Sequence, residues 1–103
     1  MPRIERIEGP IERWRLIEGG SSVDVAPARG GLVTSFISAG EEVLYLDDAT
    51  FLDESKNVRG GVPLLFPFAG KPPPGATLPQ HGFARRLPWA VTSAVADDDT
   101  ARL

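Results

Sequence analysis

Four polar residues of complementary chemistry fall in two short stretches rich in glycine and proline. Arg59 lies in "NVRGGVPLLFPFAG", and Gln80, His81 and Arg85 lie in "LPQHGFARRLPWAV". An arginine presents a planar fork of N–H donors that matches the oxygens of a phosphate group. A glutamine offers both a donor and an acceptor, and a histidine can act as either near neutral pH. Phe66, Phe68, Phe83 and Trp89 sit among them and supply apolar faces on which a sugar ring can rest. Gly60, Gly61 and Gly82 allow backbone to approach a ligand closely. The set fits a phosphorylated polyol. Spacing alone leaves a plainer reading open, in which His81 caps a surface turn and the arginines are solvated.

The charge distribution favours an anion. The chain of 103 residues has a formal net charge of −3, which disfavours generic nucleic-acid binding. Residues 1–54 hold eleven acids and five arginines, a balance of −6. Residues 55–96 hold no acid, against Lys56, Arg59, Lys71, Arg85 and Arg86, a balance of +5. A cationic block in an acidic chain makes a local field that concentrates anions. The alternative is that five cations spread over 42 residues are merely solvated, and Arg86, Lys56 and Lys71 read most simply as surface charges.

Composition narrows the chemistry further. There is no cysteine, so disulfides and thiolate nucleophiles are excluded. One histidine without a paired ligand spacing argues against zinc, and no metal or other cofactor is expected. No run approaches the ~18 apolar residues of a membrane span. The polar start "MPRIERIEGPIERW" lacks the apolar core of a signal peptide, so no membrane partner and a cytoplasmic location are expected.

Short strands must position these residues. In "IERWRLIEG", Ile11, Arg13, Arg15 and Ile17 alternate with Glu12, Trp14 and Leu16. "GGSS" turns the chain into "VDVAPAR", and "GG" at 30–31 turns it into "LVTSFIS". "EVLYLDD" reads as a buried strand through Val43, Leu44, Tyr45 and Leu46. This spacing predicts an all-β fold, an antiparallel β-sandwich, with 1–103 as a single incomplete domain. Five prolines in "GGVPLLFPFAGKPPPG" forbid regular structure there, so 55–86 is expected to be irregular around an apolar core of Val62, Leu64, Leu65, Phe66 and Phe68. "KPPPG" reads as an exposed tip. "LPWAVTSAVA" reads as a strand, "DDD" as a turn and "TARL" as the opening of a return strand. An unpaired edge follows, and association through it is expected. Trp14 and Trp89 read as core residues.

The paired motifs "VRGGVPLLFPFAG" and "LPQHGFARRLPWAV" resemble the signature of hexose-6-phosphate mutarotases, or glucose-6-phosphate 1-epimerases, in the aldose 1-epimerase (galactose mutarotase-like) superfamily. The match covers roughly 57–91, with "KPPP" as a local insertion. The resemblance implies a large antiparallel supersandwich of which this chain is the N-terminal portion. It implies an isomerase without a cofactor that interconverts the α and β anomers of a hexose 6-phosphate by general acid–base catalysis. Arg59, Gln80 and Arg85 then bind substrate, the arginines contacting phosphate, and His81 holds sugar hydroxyls. The family's general-acid histidine, its hydroxyl-binding aspartate and its general-base glutamate have no match here. Glu41, Glu42 and Glu54 do not correspond to the base, so no catalytic residue is assigned within the chain and the chain alone is expected to be inactive. A noncatalytic sugar-phosphate-binding module, or a truncated product, is the alternative.

Overall fold

The computed structural model describes all 103 residues. Five antiparallel strands follow one another as a meander: β1 (Arg3–Ile7), β2 (Arg13–Glu18), β3 (Ser21–Ala26), β4 (Leu32–Ser38) and β5 (Glu41–Glu42). Each reversal falls where the sequence supplies turn residues, with Gly19, Gly30, Gly31 and Gly40 all at positive φ. One short helix, α1 (Asp48–Phe51), starts at an Asp47 cap whose carboxylate accepts from the Thr50 amide at 3.2 Å. A separate hairpin pairs β6 (Val95–Ala96) with β7 (Ala101–Arg102) across the "DDD" turn. The fold is all-β and antiparallel. No helix is long and apolar enough to cross a membrane.

The two faces of the meander have different fates. On one face Ala26 and Leu32 pack with Phe51 of α1, joined by half-buried Ile11, Leu46 and Val58. Asp24 lies in the same layer, 2% exposed, and both its oxygens are taken by the Arg15 fork at 2.7 and 2.8 Å. Register places Asp24 opposite Arg15, so the alternation read in β2 sets this pair. The other face carries Leu16, Val23, Val25 and Phe36, which line an open groove ended by Leu103. Only 10 of 103 residues are buried, and the Cα radius of gyration is 14.9 Å. A compact domain of this length would have about 13 Å. The apolar face of the sheet is therefore only partly covered, by Ala101–Leu103 at the end of the second hairpin.

Three expectations change. "EVLYLDD" is not a buried strand: β5 stops at Glu42, and Val43 and Tyr45 are 58% and 70% exposed. The cause is Glu42 itself, whose carboxylate accepts from the Ser35 hydroxyl and from the amides of Phe36 and Leu44 at 2.9 and 3.2 Å. It thereby caps the ladder. The apolar run 62–68 is also not a core, since Val62, Leu64 and Phe66 are exposed. "LPWAVTSAVA" forms a strand only at Val95–Ala96, because the Trp89 amide is already committed to the Pro27 carbonyl at 2.8 Å. Trp89 is thus half-exposed, while Trp14 is half-buried beneath the Arg6 guanidinium.

The loop after α1 is held by one buried side chain. Arg29, in the 3-10 turn Pro27–Arg29, donates to the carbonyls of Phe51, Thr50, Asp53 and Lys56 at 2.9–3.3 Å. The Phe51 and Lys56 carbonyls have no other donor, while those of Thr50 and Asp53 also accept from the Asp53 and Lys56 amides. Arg29→Lys keeps the charge but loses the fork, and each lost charge-assisted bond costs about 1.5–3 kcal/mol. A clear fall in the thermal midpoint by circular dichroism is expected, and an unchanged midpoint would show that the clamp is dispensable.

Glu42 gives a pH-dependent counterpart. The Ser35 hydroxyl, then the Phe36 and Leu44 amides, hold its carboxyl below the usual glutamate range. Because its folded value is depressed, its contribution is complete above the ordinary value of about 4.3. It is lost as pH falls through the lower folded value. Amide exchange at Phe36 and Leu44 should accelerate on acidification below that range in the wild type. In Glu42→Gln the step should be absent.

Candidate functional site

Arg59 is placed by backbone pairing. Its carbonyl accepts from the Asp47 amide at 2.9 Å, and its own amide donates to the Thr50 hydroxyl at 2.9 Å. Gly61 donates to the Tyr45 carbonyl at 2.8 Å, and Val62 exchanges two bonds with Val33. Residues 59–62 therefore run as a paired strip between the 45–47 segment and β4. Gly60 sits at φ +99° directly over the Tyr45 carbonyl, where a Cβ would collide. Glycine is required there for the strip to close.

His81, Gln80 and Arg85 are placed by a second strip laid along the first motif. The Phe66 carbonyl accepts from the Phe83 and Ala84 amides, and the Gly70 carbonyl accepts from the His81 amide at 2.8 Å. Phe66 and Phe83 rings meet edge to face, with centroids 5.9 Å apart. Gly82, at φ +72°, presses against the Phe66 carbonyl so closely that no side chain fits. Thus the two quoted motifs contact each other mainly through the main chain, with the Phe66–Phe83 ring pair and the His81 ring on Ala69 as side-chain contacts.

His81 has a defined hydrogen-bonding state. Its Nδ1 meets the Ala69 carbonyl, which can only accept, so Nδ1 carries the proton. The neutral ring then keeps Nε2 as an acceptor suited to a hydroxyl. His81 itself is at φ +69°, an uncommon conformation for a residue with a side chain. The plainer turn reading is therefore right about its backbone. Gln80 is exposed, and its side chain has no partner within the chain.

The two arginines face adjoining recesses. Arg85 lines a small one with Arg29, Lys56, Asn57 and Arg86, of about 100 Å³. Arg59 lines a wider, more open one that shares Lys56, Asn57 and Arg86 with it. Gln80 and His81 line neither. Arg85 is half-buried, and its Nε is sealed from solvent with no hydrogen-bond partner. The cationic block is less pure in space than in sequence, because Glu54 joins the wall of the Arg85 recess and Asp47 that of the Arg59 recess. Nearby Asp53 is held below the usual aspartate range by the Ser55 hydroxyl and amide, with smaller help from Lys56 and Arg29. No three His, Asp or Glu side chains converge as metal ligands would.

Sequence reasoning passed over Arg29 and Asn57. Arg29 carries only the faint signal of an arginine closing a Pro-Ala turn before two glycines. Asn57 accepts from Arg86 Nη1 through its side-chain oxygen at 3.1 Å, a contact 29 residues apart that no local pattern announces.

No protein-family model matches the chain. Curated proteins do. The whole chain is 37% identical, over 111 aligned positions, to a protein named "Putative glucose-6-phosphate 1-epimerase" from Escherichia coli (strain K12), and spans 37% of it. A protein of the same name from Salmonella typhimurium is 44% identical over 63 residues, 61% of this chain and 21% of that protein. Among solved structures, the Slr1438 protein from Synechocystis sp. PCC 6803 superposes with a TM-score of 0.71 at 35% identity, over 97% of this chain and 35% of that one. The chain thus spans little more than a third of the length of the relatives it matches. Similarity along its entire length relates this chain to the proteins named "Putative glucose-6-phosphate 1-epimerase", about a third of whose length it spans.

Proposed function

We propose that this chain supplies the phosphate- and hydroxyl-binding side of an aldose 1-epimerase acting on a hexose 6-phosphate. The observation that carries the reading is the paired strip, in which main-chain bonds hold 66–70 against 81–84 and leave Arg85 Nε and His81 Nε2 without a hydrogen-bond partner. Arg59 and Arg85 hold the phosphate oxygens, while Gln80 and His81 receive sugar hydroxyls. The relatives' names support the substrate class. A cytoplasmic location and a place within one larger sandwich domain belong to the same reading.

The reaction proposed for the whole protein is anomer exchange. A base takes the proton of the anomeric hydroxyl as an acid protonates the ring oxygen. The bond from C1 to the ring oxygen breaks and C1 becomes a carbonyl. Rotation about C1–C2 and closure through the reverse transfers give the other anomer. In this chain the residues bind and orient the sugar. The Nδ1 of His81 is taken up by the Ala69 carbonyl, which leaves Nε2 as the ring atom able to meet the sugar.

Two measurements test the reading. Polarimetry on fresh α-glucose 6-phosphate with the 103-residue chain should give the buffer rate, since an acid and a base contribute about 10²–10⁴-fold each and neither is supplied. A clear acceleration abolished by His81→Ala would mean that the catalytic residues lie in this chain after all.

Calorimetric titration should separate phosphorylated from free sugar. Arg59→Ala and Arg85→Ala should each weaken glucose 6-phosphate binding roughly 10- to 100-fold, the loss expected for one charge-assisted hydrogen bond. Glucose, which carries no dianion, should be little affected. Arg85→Lys should recover only part, having charge without the fork. Equal losses for both sugars would mean that the arginines shape the loops and do not meet phosphate.

A further inference from the structure

His81 occupies a place in the chain where a side chain is unusual. The Gly82 amide donates to the Pro79 carbonyl at 3.0 Å, closing a turn over 79–82 in which His81 stands third at φ +69°. That place in a turn is ordinarily filled by glycine or asparagine, because a larger side chain is crowded there. A histidine persists in such a conformation only where its surroundings over-determine it. Three contacts do so. The His81 amide donates to the Gly70 carbonyl at 2.8 Å, its Nδ1 meets the Ala69 carbonyl, and Gly82 is wedged against the Phe66 carbonyl. Two consecutive carbonyls thus hold one residue by main chain and ring together, and Nε2 is left as the free ring nitrogen.

Those carbonyls reach His81 across the loop 71–80, and little else fixes that loop. All its residues but Pro72 are exposed, and the one main-chain bond between its own residues runs from the Ala76 amide to the Pro73 carbonyl at 3.1 Å. Four of its ten residues are prolines: Pro72, Pro73, Pro74 and Pro79. Each proline fixes its own φ and restricts the residue before it. The loop therefore gives up little freedom when its ends meet. Gly75, at φ +87°, supplies the reversal at the tip. We infer that Pro72, Pro73 and Pro74 are positioning residues for His81: the stiff loop keeps the Ala69 and Gly70 carbonyls on it, and so presents Nε2 as an acceptor to a ligand hydroxyl. The identity of that hydroxyl rests on the phosphosugar reading. The fixing of the ring does not, and it gives a role to a segment that reads in the sequence only as an exposed tip.

Nitrogen NMR of the imidazole ring reads this arrangement in the full chain without any ligand. At a pH where the ring is neutral, wild-type His81 should be a single tautomer with the proton on Nδ1. In Pro72→Gly/Pro73→Gly/Pro74→Gly both tautomers should appear, and the His81 amide should exchange faster. Pro74→Ala, at an exposed site, should move both readouts the same way by less, and it carries the test if the triple variant loses its far-UV spectrum. Titration supplies the ligand arm. The triple variant should bind glucose 6-phosphate about three- to tenfold more weakly, the loss of one neutral hydrogen bond, and inorganic phosphate as the wild type does. A tautomer mixture in the wild type, or a single tautomer unmoved by either substitution, overturns the inference. A shifted tautomer with unchanged glucose 6-phosphate affinity does so too, as does an equal loss for inorganic phosphate, since the loop would then shape the whole region and not one ring. If the wild type does not bind glucose 6-phosphate, the phosphosugar reading fails, and the ring nitrogens still decide whether the prolines hold the histidine.

Discussion

The Arg29 guanidinium is the contact on which the functional half of the molecule depends. Four main-chain carbonyls from 50–56 converge on it, from the end of α1 and the loop beyond. Without that fork the Phe51 and Lys56 carbonyls, which have no other donor, would be left unpaired, at a cost no local turn could offset. The same clamp ties the 3-10 turn to the loop carrying Lys56 and Asn57. Gly30, next in sequence, lies against the Arg85 backbone. One buried side chain therefore sets the distance between the two cationic segments. The meander supplies its platform, and the apolar cluster of Ala26, Leu32 and Phe51 keeps water from competing for its donors.

The regular part of the fold was legible because local and global preferences agree there. Alternation in β2 puts Arg15 on the side of Asp24, and glycine pairs mark the reversals before β3 and β4. Legibility ends where a side chain captures backbone. Glu42 takes the amides that would have extended β5, so an apolar run that looks like a strand instead pairs with 59–61. Trp89 loses its ladder to the Pro27 carbonyl in the same way. Neither capture has a sequence signal, since each depends on which distant atom arrives within reach.

The site was legible in kind and only partly in arrangement. Arg59, Gln80, His81 and Arg85 stand out by residue type and by the motifs that contain them. Which of them share a recess does not follow from spacing: Arg59 and Arg85 adjoin through Arg86, while Gln80 and His81 line neither recess. Charge counting along the chain also overstated the isolation of the cations. Glu54 borders the acid-free block in sequence and enters its recess in space. The groove of Leu16, Val23, Val25 and Phe36 is a further case, as alternation identifies an apolar face without saying what lies over it.

The pairing of 66–70 with 81–84 runs through carbonyls and amides, and its tightest point tolerates no side chain at Gly82. Its specification is thus written mainly in what one position lacks. Side chains that project from such a frame contribute little to holding it, so they are free to vary while the frame stays put. Exchanging Gln80 or Arg86, both exposed, would leave the support beneath them unchanged. A single methyl group at Gly82, far smaller than any of those exchanges, would part the two strips and scatter the recognition groups together. Adaptability of ligand choice and fragility of the scaffold are therefore properties of neighbouring residues.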